Sequence, residues 1–219
     1  MMTIQPGKSE DRPMNDAHRL PLRRTSLDPD PVRQFKRWLQ DAEQAGIAQP
    51  HAMTLATASG AGIPSARIVL LRGIEDHGFI FFTNYESLKG QNLQENPLAA
   101  LLFYWPELSR QVRITGSVDQ LDASASDRYF SGRPRGHQVE AHASPQSRVI
   151  PGRTMLIERF QTVAQTYAGV AVPRPANWGG YRVIADSFEF WQEGDNRLHD
   201  RLRYRRNREN GWVTERLAP

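Results

Sequence analysis

Three side chains near the C-terminus have the types and the spacing expected of an anion-binding site. Arg197, His199 and Arg201 recur at every second position, so a strand would place all three on one face. Such neighbours repel one another when charged unless an anion lies over them. Residues 188–192 and the turn 193–196 would complete a hairpin, because glycine and asparagine tolerate the backbone of tight turns. We predict that this hairpin binds an anionic, aromatic ligand; the alternative is a solvated basic edge strand.

A second group of cationic side chains lies in the first half of the chain. Arg67 and Arg72 stand at the two ends of an apolar run, and their opposite parity would direct them to different sides of a regular strand unless a bulge intervenes. Lys89 falls at the start of a predicted helix and follows Thr83 closely in sequence. Because a helix N-terminus beside a lysine favours phosphate, we predict a phosphate site here. For Lys89 alone, a solvated surface lysine is the alternative.

Helical periodicity predicts some of the elements that hold these groups. Asp30 and Pro31 form a helix start, and apolar residues continue at helical spacing to Ala45 before Gly46 ends the helix. Further helices are predicted over residues 87–94, 122–130 and 154–167, the last amphipathic with Leu156, Phe160, Val163 and Tyr167 on one stripe. Residues 132–137, which contain proline and two glycines, are predicted to be a loop.

Period-two alternation predicts the remaining elements. Strands are expected over residues 52–58, 65–73, 79–83, 98–105, 111–121 and the two arms of the hairpin, with Leu198 and Leu202 facing a core. Short strands joined in sequence by tight turns predict an antiparallel meander that closes into a β-barrel with flanking helices, an α+β fold. We place a flexible arm at residues 1–27 and a single domain at residues 28–219.

The composition narrows the classes of ligand and compartment. The chain has 219 residues with a formal charge of +4, and arginine supplies nearly all of its positive charge, which favours planar recognition of phosphate or carboxylate. It contains no cysteine, which fits a reducing cytoplasm. No apolar run is long enough to span a membrane, no secretory signal precedes the body, and neither metal-ligand spacing nor a nucleic-acid-binding motif is present.

Several short motifs in a fixed order resemble those of the pyridoxamine 5′-phosphate oxidase family. The resemblance runs from about Asp30 to Pro219. The motifs are residues 67–71, Gln111-Val112, Tyr129 with Arg133-Pro134-Arg135, Gln146-Ser147, residues 178–181, 189–192, 197–201 and 216–219. The resemblance implies an antiparallel six-stranded FMN-binding split barrel that forms a homodimer, with the flavin in a cleft between the subunits.

The resemblance also implies a role for individual residues of this chain. The implied FMN contacts are Arg67, Ile68, Val69, Leu70, Leu71, Phe82, Thr83, Lys89, Gln111, Gln146, Ser147, Trp191 and Arg201. The implied substrate contacts are Arg72, Tyr129, Arg133, His137, Arg197 and His199, of which Arg197 and His199 are the expected catalytic residues. The implied reaction oxidises pyridoxamine and pyridoxine 5′-phosphates to pyridoxal 5′-phosphate in vitamin B6 metabolism. A hydride moves from the C4′ carbon to flavin N5, and dioxygen reoxidises the flavin to give hydrogen peroxide, with ammonia released from the amine.

Five residues depart from the pattern of the family. Arg72 replaces a lysine, Leu88 an arginine, His137 a serine, and Glu140 and His142 a glycine and a tryptophan. The first arm also lacks the Arg-x-x-Tyr lid that some members carry. These departures keep two alternatives open: an FMN oxidase of a dihydro-aromatic, phenazine-type substrate, and a split-barrel protein that binds flavin without turnover. Comparing turnover of pyridoxine 5′-phosphate with that of dihydrophenazine acids separates the implied oxidase from the first alternative. Against the second alternative, Arg197→Ala should lower turnover while the flavin stays bound.

Overall fold

One antiparallel sheet organises the structure, a computed structural model that describes residues 21–75, 78–209 and 211–219. Within those residues the strands are β1 Ala52–Ala58, β2 Pro64–Leu70, β3 Gly73–Glu75, β4 Gly78–Asn84, β5 Leu98–Trp105, β6 Arg110–Gln120, β7 Trp178–Gln192, β8 Asp200–Arg206 and β9 Trp212–Arg216. The helices are α1 Pro31–Gln44, α2 Leu88–Glu95, α3 Ala123–Ser131, α4 Arg135–Ala143 and α5 Arg153–Thr166.

The long strand β7 is the centre of the sheet. The strand order is β2-β1-β5-β6-β7-β4-β3, and β8 adds to β7 and then to β9. β6 pairs with β7 over most of its length, whereas β4 pairs with its first half and β8 with its second half. The predicted antiparallel α+β class is therefore confirmed. The sheet has nine strands in the described residues rather than the six that the resemblance implies, because residues 65–73 divide between β2 and β3 and the C-terminal part adds β8 and β9.

The main core lies between α1 and the sheet. Phe35 of α1 is fully buried, and its ring contacts those of Phe79 and Phe103 with centroids 5.0 and 4.8 Å apart. Asp30 caps the helix by accepting hydrogen bonds from the backbone N–H groups of the first turn, and Gly46 follows its end at φ 73°. The helix predicted from the Asp30-Pro31 start is thus confirmed, together with its apolar face.

Two regions differ from the predicted elements because the backbone changes partner or direction. The predicted strand 65–73 ends at Leu70. The N–H of Leu71 donates to His51 O and that of Arg72 donates to Ile80 O, so the chain passes here from β1 to β4. The predicted loop 132–137 is wrong in its second half: α4 begins at Arg135, directly after Pro134, and proline is well tolerated just before a helix.

The helix predicted over residues 154–167 is present as α5, and its apolar stripe is only partly covered. None of its residues is buried, and Phe160 is 38% exposed. The helix rests on α4 and does not enter the main core, although Val163 and Tyr167 pack partly against the smaller cluster around Phe130. Amphipathic spacing predicts a helix with one apolar face. It does not predict how much of that face is covered by the rest of the chain.

The first residues of the described chain are packed against the C-terminal strands. Leu22 is buried, its N–H donates to Asp200 Oδ2 over 2.8 Å, and Arg216 Nη2 donates to its carbonyl over 2.7 Å. Leu22, which falls within the predicted arm, is therefore packed against the domain; residues 1–20 of that arm lie outside the described residues. Of the helices that the structure describes, none is both long and apolar enough to cross a membrane.

Candidate functional site

A buried lysine lies at the first turn of α2. Lys89 is 9% exposed, and its Nζ donates to Gln146 Oε1 at 2.7 Å, Thr83 Oγ1 at 3.2 Å and Ser87 Oγ at 3.3 Å. Ser87 is the N-cap of α2 and accepts a hydrogen bond from the backbone of Gly90. The burial decides against a solvated surface lysine. Thr83 and Gln146, both predicted cofactor contacts, lie beside it as expected.

Arg67 lies on β2 and reaches across the edge of the sheet. Its Nη1 donates to Leu55 O at 3.1 Å and Thr57 Oγ1 at 2.9 Å, and its Nη2 donates to Ser65 Oγ at 2.5 Å. Asn92 of α2 donates to both hydroxyls, at 2.9 and 3.0 Å. The guanidinium is therefore fixed by neutral groups of β1 and β2, and Asn92 of α2 holds two of these groups in place. Sequence reasoning missed Thr57, Ser65 and Asn92; the shared parity of positions 65 and 67 was the available signal.

The two cations form a pair without a counterion. In the described part of the chain, neither Arg67 nor Lys89 donates to a carboxylate. Burial, and then the charge of Arg67, lower the pKa of Lys89 to about 8. Burial likewise lowers the pKa of Arg67. An anion with several oxygens would relieve both penalties, so this pair, which we call the cation pair, has the electrostatics of a phosphate site.

A wall of aromatic rings is built around Phe82, the residue before Thr83 on β4. Phe82 follows Phe81 on β4 and stacks on Tyr129 of α3 with centroids 3.7 Å apart and planes 6° apart, and Trp178 stacks on Phe82 at 5.5 Å. Gly180 makes room for this arrangement, since a Cβ there would approach Phe82 to 2.8 Å. The Gly179-Gly180 pair was the sequence signal for a close approach of this kind.

Arg133 lies against this wall with one nitrogen unused. Its Cζ stands 4.5 Å from the ring centroid of Trp178 and 5.6 Å from that of Phe130. Its Nη1 is buried and has no hydrogen-bond partner among the described residues. Burial lowers the pKa of Arg133, and the charges of Glu140 and Tyr129 oppose this change. An unpaired buried guanidinium nitrogen is costly unless a ligand completes it.

Three of the predicted substrate residues come together here. The charge of Arg72 contributes to lowering the pKa of Arg133, which places the two guanidiniums within electrostatic reach of each other. Arg72 and Tyr129 also line one cavity of about 530 Å³, together with Lys36 and His51. Strand β2 ends at Leu70, and the chain turns there, so that Arg72 lies at the cavity with Tyr129. The parity argument assumed one continuous strand and could not predict this position. His137, the fourth predicted contact in this region, lies on the first turn of α4 with an exposed side chain.

The other predicted cofactor contacts on β2 and near α4 differ in exposure. Ile68 is 64% exposed on the outer side of the edge strand, Val69 and Leu70 are half-buried, and Leu71 is buried. Ser147 follows Gln146 with an exposed side chain at φ 70°. Gln146 contacts Lys89 directly. In the described contacts, the side chains of the four β2-end residues 68–71 and of Ser147 make no polar contact with the cation pair.

The three C-terminal residues predicted to share one strand face are not all on a strand. Arg197 ends a short 3₁₀ turn, Asp195–Arg197, in which Asn196 and Arg197 have φ of 53° and 63°, and β8 begins only at Asp200. The prediction that Arg197, His199 and Arg201 share one strand face is therefore wrong, because the left-handed turn delays the strand by three residues. Leu198, expected in the core, is 72% exposed, whereas Leu202 is buried as predicted.

His199 and Arg201 nevertheless lie beside Trp191. The imidazole of His199 is 4.9 Å from the indole of Trp191, and its Nδ1 accepts from the N–H of Gly194. In the sheet register, Gln111 and Arg201 flank Trp191 on either side. Arg201 donates to Glu189 Oε1 at 2.9 Å, and this contact raises its pKa. The three predicted cofactor contacts of this region thus form one group, which we call the C-terminal group, with His199 and the exposed Arg197 at its edge.

The cation pair and the C-terminal group lie at opposite ends of β7. Thr83, which binds Lys89, is opposite Gly179, whereas Arg201 is opposite Trp191. These β7 positions are twelve residues apart, which corresponds to about 40 Å along a strand. The described hydrogen bonds of Lys89 include no residue of the C-terminal group.

Both parts of the chain match known families. Residues 39–167 match the family described as pyridoxamine 5′-phosphate oxidase. Residues 178–219 match the family described as the pyridoxine 5′-phosphate oxidase C-terminal dimerisation region. The first match contains the cation pair and Gln111, and the second contains the rest of the C-terminal group.

Curated relatives match nearly the full length. A pyridoxine/pyridoxamine 5′-phosphate oxidase of Salinibacter ruber is 54% identical over 203 residues, covering 92% of this chain and 94% of the relative. One from Burkholderia cenocepacia is 51% identical over 208 residues, covering 92% and 97%. Among solved structures, PhzG from Burkholderia lata 383 in complex with tetrahydrophenazine-1-carboxylic acid superposes with a TM-score of 0.84 at 36% identity, covering 89% of this chain and 95% of that one. An FMN-binding protein related to pyridoxamine 5′-phosphate oxidase, from Nostoc punctiforme, shares the fold with a TM-score of 0.69 at 16% identity, covering 88% and 100%.

Proposed function

The chain belongs to the pyridoxamine 5′-phosphate oxidase family and oxidises pyridoxine and pyridoxamine 5′-phosphates, and we propose that it does so on FMN bound between two copies of the chain. The observation that carries the cofactor assignment is the cation pair. Arg67 and Lys89 are fixed by neutral groups and lack a counterion in the described residues, and Lys89 donates to Thr83 and Gln146. A flavin phosphate supplies the missing charge and accepts their hydrogen bonds.

The substrate phosphate belongs in a separate place. Arg72 and Arg133 lie within electrostatic reach of each other, and the buried Nη1 of Arg133 points to a ligand that can accept its hydrogen bond. Tyr129 borders the same region and stacks on Phe82, a proposed flavin contact, so a planar ring held there lies against the aromatic wall. This arrangement orients a phosphorylated pyridine between its phosphate and the cofactor.

The C-terminal group supplies the remaining contacts. FMN, when bound, accepts a hydride from the substrate and returns the electrons to dioxygen. Arg197 and His199 are proposed to hold the substrate ring and its phenolic oxygen, while Gln111, Trp191 and Arg201 contact the flavin. Because Glu189 already neutralises Arg201, that residue would act by hydrogen bonding rather than by adding charge. These residues would come from the second copy, and all of them except Gln111 lie in the matched dimerisation region.

The position of His142, one of the five residues that depart from the family pattern, does not support the phenazine-type alternative. His142 Nε2 is 2.7 Å from Pro173 O, and its ring packs near Phe130 and Tyr167, so it belongs to the small core of α3–α5 rather than to the substrate cleft. Two arginines at the substrate end suit a phosphate dianion better than one carboxylate. The 54% identity to a pyridoxine/pyridoxamine 5′-phosphate oxidase also exceeds the 36% identity to PhzG.

The assignment is tested by turnover with the FMN-loaded protein. We expect pyridoxine 5′-phosphate to yield hydrogen peroxide and the absorbance of the aldehyde product in equal amounts. Unphosphorylated pyridoxine and a dihydrophenazine carboxylic acid, assayed in parallel, are expected to react far more slowly. Rapid oxidation of the phenazine acid with no aldehyde from pyridoxine 5′-phosphate would replace the proposed substrate by the alternative.

The depressed pKa of Lys89 predicts a pH limit on FMN binding. In the ligand-free protein the ammonium deprotonates around pH 8, whereas a bound phosphate favours its charged form. Above this pH, binding requires uptake of a proton, so the affinity should fall by up to about tenfold per pH unit. Fluorescence titration of the apoprotein with FMN between about pH 7 and 9.5 measures the effect.

The matched control for this titration is Lys89→Arg, whose side chain remains charged across the range. Its affinity is expected to depend little on pH, even if its absolute value differs. An equally flat profile in the unsubstituted protein would show that Lys89 does not contact the phosphate.

A further inference from the structure

Arg133 is held between two aromatic rings rather than by an acidic partner. It follows the end of α3, where its N–H donates to Phe130 O at 3.1 Å. Its guanidinium lies closer to the ring of Trp178 than to that of Phe130, and both rings are almost completely buried. No ion pair with a carboxylate is formed by Arg133 in the residues that the structure describes, and its Nη1 stays unpaired there.

Trp178 is itself fixed by the backbone around it. It begins β7, opposite Asn84, and its N–H donates to Pro175 O. Its carbonyl accepts from Arg174 Nη1 at 2.7 Å, and Arg174 is in turn paired with Asp127 at 2.6 Å. The indole therefore offers a ring face whose position the main chain determines.

We propose that Trp178 is a positioning residue for the substrate phosphate: its ring holds the Arg133 guanidinium in the orientation in which the free Nη1 meets a phosphomonoester. This inference rests on the proposed function, since it takes Arg133 as a phosphate ligand. An arginine has many rotamers, and a ring beneath its planar group restricts them before the ligand arrives. Trp178 thereby raises selectivity for a phosphorylated over an unphosphorylated pyridine without touching either.

Glu140 is an alternative partner for the Arg133 guanidinium, in competition with the ring of Trp178. Its charge reaches Arg133 from α4, yet the two side chains form no ion pair in the described structure. If the ring were removed, the guanidinium could turn toward this carboxylate and withdraw from the substrate. The ring and the carboxylate therefore compete for one arginine, and removing Glu140 should partly compensate for the loss of Trp178.

The test measures binding as well as turnover in the FMN-loaded protein. The probe is a non-reactive phosphorylated pyridine, 4-deoxypyridoxine 5′-phosphate, titrated by calorimetry, with its unphosphorylated parent as reference. For Trp178→Leu we expect the Kd of the phosphorylated probe to rise about tenfold, within the range of cation–π contacts, and that of the parent to stay unchanged. KM for pyridoxine 5′-phosphate should rise in parallel, while kcat changes little. Trp178→Phe, which keeps a smaller ring, should lie between the two.

Three further variants separate the possible outcomes. Trp212→Leu removes a matched ring, over which Arg206 lies at 4.1 Å, from a distant part of the sheet, and it should not change phosphate selectivity. Trp178→Leu with Glu140→Gln should recover part of the lost affinity. Arg133→Gln should abolish the selectivity and so tests the proposed function separately.

The inference is overturned if Trp178→Leu and Trp178→Phe both keep the full preference for the phosphorylated probe while Arg133→Gln loses it. If Arg133→Gln also keeps the preference, Arg133 is not a phosphate ligand and its role in the proposed function fails. Should Trp178→Leu lose its flavin or its fold, Trp178→Phe and the Glu140→Gln rescue in that background decide the question.

Discussion

Replacing Lys89 by methionine is expected to weaken FMN binding by at least about 100-fold while leaving the apoprotein as stable as before or more stable. Lys89 is buried beside Arg67 and has no carboxylate partner in the described residues, so its charge is costly in the absence of a ligand. Methionine has similar length and needs no counterion. The same substitution should therefore raise the stability of the empty protein and remove the affinity for phosphate.

The stability part has a defined pH dependence. The folded-state pKa of Lys89, about 8, lies below its value of 10.5 in the unfolded chain. The unfolded chain thus binds more protons between these two values, and the contribution of Lys89 to the free energy of unfolding rises with pH through that window. Lys89→Met should lack this rise. Thermal unfolding of the apoproteins from below pH 8 upward measures it.

Lys36→Met is the control for both measurements. It removes an exposed lysine of α1 and should change neither the FMN affinity nor the pH dependence of stability. FMN affinity that survives Lys89→Met within a few-fold would remove the cation pair from the cofactor site, and with it the observation on which the cofactor assignment depends.

The parts of the fold that the sequence predicted are those determined by local chemistry. The N-caps Asp30, Ser87 and Asp122 accept hydrogen bonds from the first turns of their helices, as their residue types indicated. Strand β5 has the predicted bounds because alternation and the flanking proline residues Pro97 and Pro106 agree. In these regions the local sequence preference and the tertiary packing favour the same conformation.

The failures occur where backbone conformation or burial is decided elsewhere. Asn196 and Arg197 both adopt left-handed backbone, and only asparagine is a residue type that suggests it. The start of α4 could not be predicted because Pro134 is compatible both with a loop and with the residue before a helix. The contact between Lys89 and Gln146 spans 57 positions, so no spacing rule could predict it; the family resemblance did.

The position of the two halves of the site in the chain leads to the second large effect. In the proposed function, one active cleft combines the cation pair of one copy with the C-terminal group of the other, since about 40 Å of strand β7 lies between the two groups within one chain. Lys89→Met damages only the first half. Arg197→Asn damages only the second, and asparagine tolerates the left-handed backbone of that position. Each variant alone should lose at least about 100-fold in turnover.

A heterodimer of the two variants should nevertheless be active. Of its two clefts, one receives both damaged halves and the other receives both intact halves, so activity per dimer should return to about half of that of the unsubstituted protein. Co-expression with two affinity tags and sequential purification isolates this species, and flavin content should recover in step with turnover. The control places both substitutions in one chain paired with an unsubstituted chain: each cleft then has one damaged half, and the dimer should be inactive. If the cleft were instead built within a single chain, the first heterodimer would be inactive and the control would keep half its activity, so the two assemblies give opposite results.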